Sequence, residues 1–253
     1  MIFDRRRYAK DNYVYLLAQG ADAALVDPGD AGAALALAAA HGVRPRWVLH
    51  THGHADHTGG TSEVVRQVGA QVCGGGGDAG WYQPDVDVAG LAELALGALR
   101  IRVHPAPGHT PGSVLYAWEG RLLTGDTLFW GGAGNCKHGG DPARLAESFL
   151  GVVAGLDGSL AVNPGHDYAE ANLPFALDLE PDNAAARAQL DAARLAHRRG
   201  EEPQPTTLDD ERQSNPFLRA DALRSALARR GLAARDAREA FVALRGLRDR
   251  WRG

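Results

Sequence analysis

The segment THGHADH, residues 51–57, carries three histidines and one aspartate within six consecutive residues. It continues RWVLHT, 46–51, a short apolar run that is typical of a buried strand. Imidazole nitrogen and carboxylate oxygen are donors that zinc and its first-row neighbours accept, at about 2.0–2.2 Å. The segment therefore predicts a metal site at a strand end, and it requires a fold in which strand ends collect ligands.

Three later strand ends supply the donors that THGHADH lacks. The turns PGH, 107–109 and 164–166, each end in histidine, and TGD, 124–126, ends in an aspartate that could bridge two cations. Within THGHADH an extended or turning backbone sends the first two histidines to one side and the last two donors behind them, so one segment can serve two ions. The predicted ligand sets are His52, His54, His109 and Asp126 for one ion, and Asp56, His57, His166 and Asp126 for the other.

The other histidines and the cysteines receive simpler interpretations. A lone histidine is usually a core, capping or surface residue, and we interpret four of them in this way: His41, His50, His104 and His197. Cys73 and Cys136 are too few for a disulfide framework or a thiolate-built metal site. A complete metal site would leave Cys136 no role as a nucleophile.

Composition narrows the function further. The formal charge of −4 and the pI near 6.2 give no general reason to expect a nucleic-acid partner, although the arginine-rich end leaves an RNA- or partner-binding module as an open alternative. The first residues lack the apolar run of a signal peptide, and no stretch approaches the ~18 apolar residues of a membrane span. We expect a cytoplasmic protein that does not bind membranes.

The order of elements predicts an α/β fold followed by helices. Residues 13–28 read as a hairpin, AGAALALAAAHG as a helix, and SEVVRQVGAQV as another. RLLTGDTLF reads as one strand and DPARLAESFLGVVAGL as one helix. After about residue 174 alanine and arginine dominate, so we predict an α/β domain over 1–174 and an α-helical domain over 175–253, with a loop around EEPQPTTLDDERQSNP.

THGHADH, PGHTPGS, TGDTLF and PGHDY, in this order, resemble the metallo-β-lactamase superfamily. The resemblance implies a four-layer αββα sandwich with a dinuclear site at the sheet edges, here with a C-terminal helical appendage. It implies metal ligation at seven positions, all of which carry a suitable residue in this chain: His52, His54, Asp56, His57, His109, Asp126 and His166.

The tail distinguishes between branches of the superfamily. From NLPFALDLEPDN to NPFLR it is similar to the helical domain of the hydroxyacylglutathione hydrolases, also called glyoxalase II, and DNYVYLL and VDPGD match that family as well. Persulfide dioxygenases, which use a single iron, keep the same histidines but have a shorter end. They remain an alternative, as does a thioesterase of this fold acting on another thiol ester.

The glyoxalase II resemblance implies a substrate and its contacts. A hydroxide shared by two divalent ions, zinc before iron or manganese, would cleave S-(2-hydroxyacyl)glutathione, and the protein would be a monomer or a weak homo-oligomer. FVALRGLRDRW matches a glutathione-binding motif at Arg245 and Arg248, and Tyr168 matches a tyrosine that contacts glutathione. The loop GAGNCKHGGDP departs from the family pattern, so its contact with glutathione is in doubt, and Lys137 is the candidate to restore the missing positive charge.

Overall fold

Two β-sheets lie at the centre of the computed structural model, which describes residues 1–252. The first sheet has the order β1 to β6, with strands Ile2–Tyr8, Asn12–Gln19, Asp22–Val26, Trp47–Leu49, Gln71–Gly74 and Val86–Asp87. The second has the order β13-β10-β9-β8-β7, where β7 to β10 are Glu93–Leu96, Leu99–Pro105, Val114–Trp118 and Arg121–Gly125, and β13 is Ala161–Pro164. A small hairpin, β11 (Leu128–Phe129) and β12 (Gly132–Ala133), follows the second sheet's β10.

Both faces of the first sheet are covered. Side chains alternate along a strand, so Tyr13, Tyr15 and Leu17 of β2 join the core shared with the second sheet. Val14 and Leu16 point the other way, into a core formed with helices α1 (Ala31–Ala40) and α3 (Thr61–Val68). A strand buried on both faces reads as a continuous apolar run, and the predicted hairpin is confirmed by the antiparallel pairing of β2 with β3.

Helices complete the outer layers and the tail. A short helix, α2 (Ala55–Thr58), lies within THGHADH, and α4 (Pro142–Glu147) continues as a π turn at Ser148–Val152 and a 3₁₀ turn at Val153–Gly155. The tail contains α5 (Ala169–Leu179), α6 (Ala184–Arg199), α7 (Leu208–Ser214), α8 (Arg224–Ala228) and α9 (Ala237–Arg250). No helix within residues 1–252 combines the length and apolar character needed to cross a bilayer.

The tail shares its hydrophobic core with the sandwich. Phe149, which follows α4, lies 4.9 Å from Phe241 of α9 between ring centroids, and Phe241 lies 5.1 Å from Phe217. All three rings belong to the cluster that fills the space between the sheets. The predicted boundary near residue 174 falls inside α5, which begins at Ala169, and the core continues across it.

Three local expectations need correction. β1 was not predicted, because its central Arg5, Arg6 and Arg7 hide the apolar alternation of an edge strand. RLLTGDTLF is not one strand, since Gly125 adopts a φ of 46° and separates β10 from β11. The predicted loop around residues 201–216 contains α7, which a capping box of Thr207 and Asp210 begins.

Candidate metal centre

THGHADH lies where β4 ends and α2 begins. The strand ends at Leu49, and the backbone turns through Gly53 before the helix starts at Ala55. His52 and His57 are buried, His54 is half-buried and Asp56 is exposed. The turn therefore presents its donors on the inner side, at the edge of the first sheet.

Three groups of three donors within residues 1–252 gather there, and two of them match the ligand sets that the sequence predicts, without Asp126. The third combines Asp27 with His52 and His57. We name the two matching groups the first group and the second group. In each, one ligand atom from every residue lies within 4.8 Å of the others: His52, His54 and His109 in the first group, and Asp56, His57 and His166 in the second. His54 Nδ1 lies 3.0 Å from His109 Nε2, and His57 Nε2 lies 3.2 Å from His166 Nε2.

Asp126 lies between the two groups. Its Oδ1 is 3.3 Å from His57 Nε2, and its Oδ2 is 3.5 Å from His166 Nε2 and 3.6 Å from His109 Nε2. The residue follows Gly125, where a Cβ would meet Thr51 Oγ1 at 2.2 Å. This close approach, together with the positive φ, requires glycine there and brings the carboxylate to the edge of the first sheet.

The second ring nitrogen of each histidine is held by an oxygen. In the first group the acceptors are uncharged: Asn135 O for His109 Nδ1 at 2.6 Å, His138 O for His54 Nε2 at 3.0 Å, and Thr51 Oγ1 for His52 Nδ1 at 3.2 Å. In the second group they are carboxylates. His57 Nδ1 donates to Asp27 at 3.1 Å, and His166 Nδ1 donates to Asp11 at 2.8 Å. These contacts fix the orientation of each ring and leave its other nitrogen facing the remaining donors of its group.

Asp27 and Asp11 were not singled out from the sequence. Asp27 is buried at the end of β3, where it also accepts Thr51 N at 2.8 Å and Thr51 Oγ1 at 2.6 Å. Its signal was present in VDPGD, an acidic residue directly after a buried strand. Asp11 gives no such signal, since its partner His166 is far along the chain.

The histidines of the two groups differ in their electrostatic surroundings. Burial lowers the pKa of His52 well below its ordinary value and lowers that of His109. Burial also acts to lower the pKa values of His57 and His166, but the surrounding carboxylates, Asp126 first among them, together outweigh it and raise these pKa values to about 10 and about 11. The second group thus lies in a strongly negative environment that favours bound cations.

The donor set fits divalent metal ions. Facing ring nitrogens at 3.0 and 3.2 Å repel each other when neither carries a proton, unless a cation lies near both. Among residues 1–252, His52 Nε2 and Asp126 Oδ1 are buried without any hydrogen-bond partner, an arrangement that costs free energy unless a metal completes it. Histidine and aspartate donors alone do not choose between zinc, iron and manganese.

The predicted substrate residues line one cavity of about 250 Å³: Lys137, Tyr168, Arg245 and Arg248, with Phe129, Asn172 and Trp251. The Tyr168 ring stacks on His166, with centroids 4.7 Å apart and planes 6° apart. The cavity therefore adjoins the second group through this tyrosine.

The two arginines of this cavity differ in how fully they are engaged. Arg245 is buried and donates to Ala133 O at 2.7 Å, to Gly134 O at 3.1 Å and to Asp249 at 2.8 Å. Arg248 is half-buried and donates to Ala171 O at 3.1 Å and to Asn172 Oδ1 at 3.4 Å. Within residues 1–252 the buried Nε of each is unpartnered. Arg245 therefore acts as part of the cavity wall, while Arg248 has more freedom toward a ligand.

The residues assigned simpler roles lie outside both groups. His50 is buried with its Nε2 2.9 Å from Thr61 Oγ1, and His197 pairs with Asp167 and Glu170 at 2.7 and 2.6 Å. His41 pairs with Asp4 at 2.7 Å, and His104 is partly buried on β8. Burial raises the pKa of the Cys136 thiol to about 12, so it is protonated at neutral pH and a poor nucleophile.

Known proteins match both the C-terminal part of the chain and its full length. Residues 167–251 match the family model described as hydroxyacylglutathione hydrolase C-terminus. The whole chain is similar to the hydroxyacylglutathione hydrolase of Anaeromyxobacter dehalogenans, with 72% identity over 99% of this chain and 100% of the relative. A second relative of that name, from Dechloromonas aromatica, is 38% identical over 83% of this chain and 78% of its own length.

Solved structures agree on the fold. ETHE1 from Myxococcus xanthus superposes with a TM-score of 0.70 and 25% identity, covering 99% of this chain and 91% of that one. A metallo-beta-lactamase from Staphylococcus aureus gives a TM-score of 0.63 at 21% identity, covering 85% of this chain and 61% of that one. The predicted metallo-β-lactamase fold is confirmed.

Proposed function

The chain belongs to the hydroxyacylglutathione hydrolase family, and we propose that it hydrolyses S-(2-hydroxyacyl)glutathione, such as S-D-lactoylglutathione, to a 2-hydroxy acid and glutathione. Its full-length similarity to a relative of that name makes it an enzyme of the hydrolase class. One geometric observation carries the substrate assignment: a cavity with cationic walls adjoins the second group through Tyr168.

We further propose that the site holds two divalent ions, zinc in the first instance. His52, His54 and His109 would hold one ion, Asp56, His57 and His166 the other, and Asp126 would contribute to both. Such ions, when bound, lower the pKa of coordinated water toward ~7 and polarise a carbonyl oxygen. The uncharged and carboxylate acceptors described above hold the ring nitrogens in the orientation that this requires.

The chain's own residues would bind and orient the thiol half of the substrate. Glutathione carries carboxylates, and the guanidinium of Arg248 and the ammonium of Lys137 provide complementary charge in the cavity. Tyr168, fixed by its stack on His166, would place the sulfur end beside the second group. A thiolate with a pKa near ~8.5 leaves readily, so the reaction needs no strong acid from a side chain.

A direct assay tests the assignment. Purified protein loaded with two equivalents of zinc should release thiol from S-D-lactoylglutathione, detected with a chromogenic disulfide, and should lose that activity when a chelator removes the metal. Absence of thiol release from protein with both ions bound would refute the substrate assignment while leaving the fold intact.

The persulfide dioxygenase alternative is not favoured, because the relative that matches throughout its length is a hydroxyacylglutathione hydrolase. Iron-loaded protein should therefore consume no oxygen when supplied with glutathione persulfide. Oxygen uptake in an electrode, with sulfite as the product, would reverse this conclusion.

A further inference from the structure

We propose that Asp78 is a positioning residue for the first group, joining the two backbone segments that carry its three histidines. Asp78 ends a short 3₁₀ turn, Gly76–Asp78, in a loop between β5 and β6 that contributes no metal ligand to either group. Its side chain is fully buried, although nothing in GGGGDAGW suggests a buried carboxylate.

Three short hydrogen bonds define the role. Gly53 N donates to Asp78 Oδ2 at 2.7 Å, and Thr110 Oγ1 donates to the same oxygen at 2.7 Å. Gly112 N donates to Oδ1 at 2.7 Å. Gly53 lies between His52 and His54, and Thr110 directly follows His109, so one carboxylate connects the backbone beside all three ligands of the first group.

Close backbone approach reinforces this connection. A Cβ on Gly53 would come within 2.9 Å of Asp78 Cβ, and one on Gly112 would come within 2.6 Å of Asp78 Cγ. Both glycines are therefore needed for the carboxylate to reach the two segments. Because all three donors are N–H or O–H groups, the site accepts an anion, and an amide would place an N–H against at least one donor.

Positioning is needed here because the second ring nitrogen of each first-group histidine meets an uncharged oxygen rather than a carboxylate. The second group is oriented by Asp27 and Asp11, whereas the rings of the first group rest on two carbonyls and a hydroxyl. A buried charge-assisted hydrogen bond is stronger than a neutral one, so Asp78 supplies through the backbone the rigidity that the ring contacts lack. This inference rests on the proposed metal centre, and it concerns binding at one group only.

Asp87, the last residue of β6, offers a control with the same side chain. Its carboxylate also accepts backbone N–H groups, from Gly76 at 2.8 Å and Ala89 at 3.0 Å, but it contacts no segment that carries a ligand. Asp78→Asn and Asp87→Asn thus make the same chemical change, with and without the proposed connection. Thr110→Val is a milder second variant, which removes one donor and keeps the carboxylate.

The experiment is a zinc titration of the metal-free proteins against a chromophoric chelator, together with cobalt absorption spectra. We expect Asp78→Asn to weaken one of the two binding steps by roughly 10- to 100-fold, as loss of support around a ligand commonly does, and to change its cobalt spectrum. Thr110→Val should weaken the same step less, and Asp87→Asn should match the unaltered protein. Repeating Asp78→Asn in an Asp56→Asn background, where only the first group is complete, identifies the affected step.

The possible outcomes distinguish failure of the Asp78 proposal from failure of the metal centre or of the substrate assignment. Unchanged zinc affinity in Asp78→Asn would overturn the proposal, as would equal weakening of both steps, because the effect would then be general. If Asp78→Asn does not fold by circular dichroism, Thr110→Val decides by the same criteria. Failure of the unaltered protein to bind zinc would refute the metal centre itself, whereas zinc binding without thioester cleavage would refute only the proposed substrate.

Discussion

The first and second groups contain nearly the same donors but rest on different supports. The first consists of three histidines whose outer nitrogens meet uncharged oxygens. The second replaces one histidine by Asp56 and rests its two rings on Asp27 and Asp11. The pKa values follow this division, since burial prevails at His109 and lowers its pKa, while Asp126, Asp56 and Asp11 together outweigh burial at His166 and raise its pKa to about 11.

This difference teaches how one protein can build two adjacent sites by different physical means. A carboxylate that accepts a hydrogen bond from an imidazole raises the basicity of the ring and its attraction for a cation. Metal binding at the second group therefore depends on electrostatics. The first group must depend on geometry, through the turn at Gly53 and the loop that carries Asn135 and His138. Variants that change charge alone should therefore weaken metal binding at the second group. Variants that loosen the backbone should weaken it at the first group.

The largest effect is expected from Asp126→Asn, which removes the charge that lies between the groups. Both groups lose a shared carboxylate, so thioester hydrolysis should fall by about 10³-fold, equivalent to ~4 kcal/mol, and zinc content should fall below two per chain. Steady-state kinetics and metal analysis measure both. Asp157→Asn, an exposed carboxylate that accepts Ser159 N, is the control. Retention of two ions with full activity would show that Asp126 serves neither group.

Asp11→Asn should weaken zinc binding at the second group and leave the first group unchanged. The amide oxygen can still accept His166 Nδ1, so the change removes charge and preserves the contact. We expect the second group to bind zinc about 10-fold more weakly, while the first group is unchanged. Competition titrations resolve the two steps. Equal weakening of both groups would contradict the division by charge.

Arg245→Met and Arg248→Met together test whether the first group depends on backbone geometry. Arg245 holds the carbonyls of Ala133 and Gly134, and the next carbonyl, that of Asn135, holds His109. Arg245→Met should therefore raise KM and also weaken zinc binding at the first group several-fold. Arg248→Met should raise KM by about 10-fold, equivalent to ~1.4 kcal/mol, with both zinc affinities unchanged. Identical zinc affinities in the two variants would show that Arg245 does not support the first group.

Lys137→Ala should have the smallest effect. The residue is exposed at the rim of the cavity, where screening limits a charge pair to ~1 kcal/mol or less. KM should rise no more than about fivefold, with kcat and both zinc affinities unchanged, and added salt should narrow the difference. Lys10→Ala, which removes an exposed lysine on the turn after β1, is the control. A fall in kcat would place Lys137 closer to the reacting atoms than the cavity wall.

Sequence patterns were most informative where chemistry is concentrated in a few neighbouring residues. THGHADH and the two PGH turns indicated a metal centre, and the structure brings those histidines together in two groups. Their assignment as ligands stays a prediction. Alternating and continuous apolar runs likewise predicted the β2–β3 hairpin.

The residues that hold the predicted ligands in position could not be predicted in the same way. Asp11 and Asp78 are ordinary acidic residues in the sequence, and Asp27 is distinguished only by following a buried strand. Only folding places the three beside partners between 24 and 155 positions away. β1 was missed because three arginines occupy its centre. Arg245 was predicted to contact substrate, but its engagement with two backbone carbonyls depends on tertiary structure alone.

The continuous core of Phe149, Phe217 and Phe241 has a consequence for protein engineering. A tail that folded by itself could be exchanged between relatives to alter thiol specificity, as modules on a flexible tether can be. Here a chimera joined near residue 174 would cut through packed aromatic rings, and mismatched rings would leave cavities that cost a few kcal/mol each. Changes of specificity in this enzyme are therefore better made one cavity residue at a time than by exchanging the whole helical region.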